Sequence, residues 1–120
     1  MEEIILFDSE FKLMEIIWEN EPVRSGDIVK MCLHKFDWKK STTYTVLKKL
    51  GEKGMIKNED SVVTSLIPKE QVQESQSEQM VNKSFGGSLP AFVSAFLKHK
   101  NISDDEAREL IDLIESHLDK

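Results

Sequence analysis

The chain has a single cysteine, Cys32, in 120 residues. No internal disulfide can form, and its place on an apolar helical stripe makes it a buried structural thiol. No apolar run reaches the roughly eighteen residues a membrane-spanning helix needs, and the acidic start MEEIILFDSE lacks the basic region of a secretory leader. These absences lead to the expectation of a cytoplasmic protein without membrane insertion. Also missing are a Gly-rich phosphate loop, a nucleophile elbow and an HExxH helix. Gly86-Gly87 is an interhelical break, and Asp104-Asp105 suits a helix first turn, where carboxylates favour the dipole. No enzymatic activity and no cofactor are expected. His34, His99 and His117 fall on different expected helices without a ligand at i+4, so no metal site is expected either.

What the chain does have is concentrated between Trp38 and Lys57, WKKSTTYTVLKKLGEKGMIK. At about 100° per residue, Thr43, Val46, Leu47 and Leu50 share one side of a helix. Ser41, Thr45, Lys48 and Glu52 share the opposite side, flanked by Thr42, Tyr44 and Lys49. One face is core and the other is cationic and hydrogen-bonding. From Lys35 to Lys57, seven lysines stand against Asp37 and Glu52, a local balance of +5 inside a chain of net charge −6. Positive charge is concentrated where a groove-reading helix needs it.

The flanks supply the rest of a known order of elements. Asp8 is the expected N-cap of a first helix, Ser9 to Asn20, with Phe11, Met14, Ile17 and Trp18 at helical spacing. A shorter second helix begins near Ser25, with Ile28, Val29, Cys32 and Leu33 as its stripe, and a connection at about Lys35 to Lys40 leads into the third. Gly54 sits where a left-handed residue ends a helix. Met55 to Lys57 and Val62 to Ile67 then read as two strands around a turn at Asn58 to Ser61. Three helices followed by a hairpin is the order of a winged helix-turn-helix.

Beyond Pro68 the chain reads as three more helices. Lys69 to Phe85 is polar, with Val72, Met80, Val81 and Phe85 as sparse apolar positions. Ser88 can cap a helix carrying Leu89, Phe92, Val93, Phe96 and Leu97. Ser103 and Glu106 form a capping box ahead of Ala107, Leu110, Ile111, Ile114 and Leu118. About fifty residues in three short helices bury little alone. A C2 dimer through Phe92, Val93, Phe96, Leu110, Ile111 and Ile114 is therefore expected, with folding back onto the winged domain as the competing solution. The fold class is mainly α with a small β-hairpin: a winged helix-turn-helix DNA-binding domain over 1–68 and a helical dimerisation domain over 69–120.

Net acidity weighs against a nucleic-acid partner only mildly. Residues up to Pro68 carry 10 basic and 12 acidic side chains, and the remainder 6 and 10. Remote carboxylates are screened beyond about 8 Å at physiological salt, so modest, salt-sensitive affinity is expected.

Several of these runs carry a family resemblance. SEFKLMEIIWENEPVRSGDIV resembles the first two helices of the penicillinase-repressor (BlaI/MecI/CopY) family, WKKSTTYTVLKKLGEKGMIK its recognition helix, and SFGGSLPAFVSAF its glycine-pair motif before the fifth helix. The resemblance implies a homodimeric repressor on an inverted-repeat DNA operator, inactivated when a membrane-bound sensor metalloprotease or another signal causes its cleavage or release. By position, it implies base-edge contacts from Thr42 and Thr45. Ser41, Tyr44, Lys48 and Lys49 would contact phosphates or bases. Arg24 and Lys39 stand where the family often has a Ser or Thr cap, so helix starts are expected to shift to Ser25 and Ser41. The usually basic wing is here Asn58-Glu59-Asp60, so its tip is expected to add little to DNA affinity or to reduce it. The family's Asn-Phe cleavage bond matches Ala95-Phe96, a departure that weighs against a β-lactam trigger. Without a cysteine after Cys32, the Cys-x-Cys metal binding of copper-responsive members is excluded. Two other readings remain beside the repressor: a winged-helix protein-interaction module or antirepressor whose acidic wing meets a protein, and a regulator sensing a small molecule directly.

Overall fold

The computed structural model describes residues 3–118; positions 1, 2, 119 and 120, at the ends of the two expected domains, lie outside them. The described residues form α1 (Asp8–Asn20), β1 (Val23–Arg24), α2 (Ser25–Phe36), α3 (Lys40–Glu52), β2 (Ile56–Glu59), β3 (Val62–Ser65), α4 (Lys69–Phe85), α5 (Leu89–His99) and α6 (Asp104–Leu118). This is a winged helix-turn-helix followed by a helical C-terminal region. Chain contacts divide inside α4, into one unit ending at Gln79 and a second beginning at Met80.

The first unit is organised around α1. Leu13, Met14 and Ile17 are fully buried, together with Ile28 and Cys32 of α2, Leu50 of α3, Met55, Val63 of β3 and Val72 of α4. The half-buried Trp18 donates its indole N–H to the Ile67 carbonyl at 3.0 Å, which ties α1 to the chain leaving the sheet. Leu33, placed on the α2 stripe by spacing, is instead 54% exposed. It lies one position past Cys32, and the apolar stripe turns away from it.

Two sheet details depart from the sequence reading. The sheet has three antiparallel strands in the order β1-β3-β2, because Val23 and Arg24 pair with Val63 and Val62. Two residues are too few to carry a period of two, so β1 has no sequence signature. The hairpin also closes more tightly than expected. Glu59 pairs with Val62, leaving Asp60 and Ser61 as the loop with φ of 50° and 66°. Positive φ at both central residues matches the twist of a two-residue hairpin. β3 ends at Ser65, where the Ser65 N–H and hydroxyl both donate to the Glu21 carboxylate, at 2.7 and 2.8 Å.

Helix starts also differ. α1 begins at Asp8 with Phe7 as its N-cap residue, not Asp8, because Glu10 Oε1 reaches back to accept the Phe7 N–H at 2.7 Å. α2 starts at Ser25 as expected. α3 starts at Lys40, one residue before Ser41, with Lys39 capping it without a side-chain bond.

In the second unit, Gly86 and Gly87, both at positive φ, turn the chain between α4 and α5. Ser88 Oγ accepts the Ala91 N–H at 3.1 Å, and Ser103 Oγ accepts the Glu106 N–H at 3.1 Å, so the Ser88 cap forms, and of the expected Ser103–Glu106 capping box the serine half forms. Phe85 and Phe92 meet edge to face at 5.5 Å. Neither α5 nor α6 buries a single residue among those described.

Candidate nucleic-acid interface

Helix α3 is positioned by its apolar side. Thr43, Val46, Leu47 and Leu50 are buried, and α1 and α2 both pack against the helix. Thr43 is the least apolar of these; its Oγ1 is buried without a well-formed hydrogen bond. Burial pushes the Cys32 thiol above its ordinary range, only partly opposed by a weak interaction with the Thr43 hydroxyl. A thiol held protonated and out of solvent is a packing group, not a nucleophile.

Both ends of α3 are fixed by backbone geometry. At its start, Asp37 adopts φ 58°, a left-handed conformation that Asp and Asn tolerate better than other non-glycine residues. The Asp37 and Trp38 N–H groups donate back to the Leu33 and Cys32 carbonyls at 3.0 and 3.3 Å. Trp38 packs on Phe36 with ring centroids 5.1 Å apart. Three residues therefore turn the chain from α2 into α3. At the other end, Gly54 at φ 76° donates to Gly51, and Met55 donates to the Leu50 carbonyl at 3.0 Å. That is a Schellman stop, accompanied by its usual apolar contact, here between buried Leu50 and Met55.

The remaining side of α3 is open. Ser41, Thr42, Tyr44, Thr45, Lys48 and Lys49 are all exposed and lie along one helix. The Thr45 hydroxyl donates to the Ser41 carbonyl at 2.9 Å, and the Lys40 ammonium lies 6.0 Å from the Tyr44 ring centroid. Of the seven lysines between 35 and 57, two are engaged elsewhere. Lys53 Nζ is 2.6 Å from Glu10 Oε1 and 2.9 Å from the Ile5 carbonyl, and Lys57 Nζ is 3.4 Å from Glu59. Among the described residues, Lys35, Lys39, Lys40, Lys48 and Lys49 form no ion pair; Lys40, Lys48 and Lys49 belong to α3 itself, Lys39 is its N-cap residue and Lys35 lies in the last turn of α2. Sequence counting assigned Lys53 to the cationic surface. Its partner Glu10 lies 43 positions away, and only the folded chain brings the two together.

The wing tip presents Glu59, Asp60 and Ser61, all exposed. In the second unit, Val93, Phe96, Leu110, Ile111 and Ile114 are exposed and Phe92 half-buried. Ala95 and Phe96 lie within α5, both exposed.

Comparison with known proteins places this arrangement. A family profile described as penicillinase repressor matches residues 6–116. The chain is 26% identical over 117 residues to a protein named penicillinase repressor from Bacillus licheniformis, covering 94% of this chain and 91% of that one. It is also 26% identical over 110 residues to the methicillin resistance regulatory protein MecI of Staphylococcus aureus, across 88% of this chain and 89% of that one. An uncharacterised 16.5 kDa protein of Latilactobacillus sakei matches at 24% identity, over 88% and 75% of the two chains.

Proposed function

Since the chain belongs to the penicillinase repressor family, we propose that it is a homodimeric transcriptional repressor that binds an inverted-repeat operator through α3. The observation that carries this reading is the exposed face of α3, where the hydroxyls of Ser41, Thr42, Tyr44 and Thr45 are followed by the unpaired Lys48 and Lys49 on a helix locked at both ends. A rigid helix with that chemistry suits the major groove, whose edges offer donors, acceptors and thymine methyls. In a dimer, two such helices fall on successive turns of one DNA face. Phe92, Val93, Phe96, Leu110, Ile111 and Ile114 are proposed to supply the partner contact. Release would follow an upstream signal; for the proteolytic route linked to a membrane sensor that the family suggests, Ala95-Phe96 in α5 is the candidate cleavage region, with Ala95 in place of the family's Asn.

Electrophoretic binding to the DNA flanking its own gene tests the reading, with a point-charge variant as the internal control. Lys48 should contact phosphate, so Lys48→Ala is expected to weaken every duplex similarly and lower the slope of log affinity against log salt by about one unit. An unchanged slope would remove Lys48 from the interface.

The wing gives a second test. Glu59 and Asp60 oppose phosphate if the hairpin docks, and Glu59 holds Lys57 at 3.4 Å. Reversing both charges, Glu59→Lys with Asp60→Lys, adds two cations and frees a third. Non-specific binding should tighten, and its salt dependence should steepen. Unaltered binding would show that the wing stays clear of the duplex and leave its acidic tip to a protein partner.

A further inference from the structure

The two threonines on the exposed face of α3 are not equivalent readers, because Thr45 has already committed its only donor. Its Oγ1 sits 2.9 Å from the Ser41 carbonyl, one turn back, so the hydroxyl hydrogen points into the helix's own backbone. A threonine hydroxyl has a single hydrogen and two lone pairs. What the side chain can offer outward is a methyl group and an acceptor, with no donor for guanine O6 or N7. The β-branch makes this arrangement stiff, since a helical threonine keeps few χ1 states and this bond selects among them. Thr45 also lies centrally on the face, with Ser41 one turn before it and Lys48 nearly one turn after, both exposed.

We propose that Thr45 determines specificity by apolar contact of its methyl with the 5-methyl group of a thymine in each half-site. The inference rests on the repressor reading above and adds to it the base and the atom that are read. Thr45 is a hydrophobic reader whose hydroxyl is spent on the helix's own backbone.

Duplexes enriched by the intact protein from a randomised double-stranded library supply the probe. Each enriched thymine is replaced in turn, in both half-sites, by deoxyuridine, which pairs with adenine but lacks the methyl. One position should weaken binding by about fourfold per half-site, the worth of one buried methyl. Thr45→Val keeps the methyl and removes the hydroxyl, and should retain that penalty at the same position. Thr45→Ser keeps the hydroxyl and removes the methyl, and should bind the thymine and uracil duplexes alike. Circular dichroism confirms that each variant keeps its helices. Absence of any methyl-sensitive thymine for the parent overturns the inference alone, as does a Thr45→Ser variant that still distinguishes the two duplexes. If no duplex is enriched above the library, the repressor reading fails and this inference falls with it.

Discussion

Ile111→Asp is expected to convert the protein to monomers at micromolar concentration and to reduce operator affinity by orders of magnitude, while circular dichroism shows the winged unit still folded. The expectation starts from an incomplete core. Phe96, Ile111 and Ile114 are 50%, 54% and 57% exposed, and none of the described residues of α5 or α6 is buried. An apolar surface of that extent is unusual on a stable monomer and marks a place where another surface docks. Truncating one buried Ile or Leu costs about 2–5 kcal/mol, and in a two-fold interface each residue is present twice. Aspartate adds an unpaired charge to the same site, which raises the cost further. A monomer carries one recognition helix and loses the effective concentration that the first half-site contact gives the second. Ile111 lies in the second unit, so α3 and its packing in the first should persist. Sedimentation velocity and a full-operator titration decide the matter. A variant that stays dimeric, or a monomer that binds the full operator as tightly as the parent, would show that α5 and α6 serve another purpose.

The parts of this fold that were legible in the sequence are those governed by local rules. The 3.6-residue period divided α3 into Thr43, Val46, Leu47 and Leu50 on one side and seven exposed polar residues on the other, and burial follows that division. Ser88, Ser103 and Gly54 announced helix ends because caps act through neighbouring backbone groups. What escaped were pairings between distant positions. β1 exists only because β3 lies beside Val23 and Arg24. No local pattern marks residue 10, yet the folded chain encloses it to 1% exposure against Lys53. The local charge of +5 is larger than the charge the folded face leaves free. Two of the seven lysines answer to carboxylates outside the helix, which leaves a smaller and better defined cationic face.

Loss of the Glu10–Lys53 pair is expected to be among the most damaging single changes in the winged unit. Glu10 Oε1 accepts the Phe7 N–H at 2.7 Å and Lys53 Nζ at 2.6 Å, while Oε2 is buried without a partner. The carboxylate is therefore supported by one cation and one backbone donor. Lys53 also donates to the Ile5 carbonyl and lies 4.6 Å from the Phe7 ring centroid, so one ammonium joins the end of α3 to the chain entering α1. Removing one partner of a buried pair costs about 3–5 kcal/mol. Lys53 keeps 33% of its side chain exposed, and water replaces part of what is lost. For Lys53→Met this reduces the expected destabilisation to about 2–3 kcal/mol, a large share of the roughly 5–15 kcal/mol that holds a small domain together. Most of the penalty should come from the stranded carboxylate, not from the missing attraction. Adding Glu10→Gln, which keeps an oxygen for the Phe7 N–H and removes the charge, is therefore expected to recover at least about 1 kcal/mol in urea denaturation. Because Lys53 is engaged inward, Lys53→Met should leave the salt slope of DNA binding at the parental value, in contrast to Lys48→Ala. A single variant as stable as the parent, or a double variant no better than the single, would show that the contact contributes no net stability. A salt slope lowered by one unit would return Lys53 to the DNA-facing surface and the cationic face to its wider, sequence-counted extent.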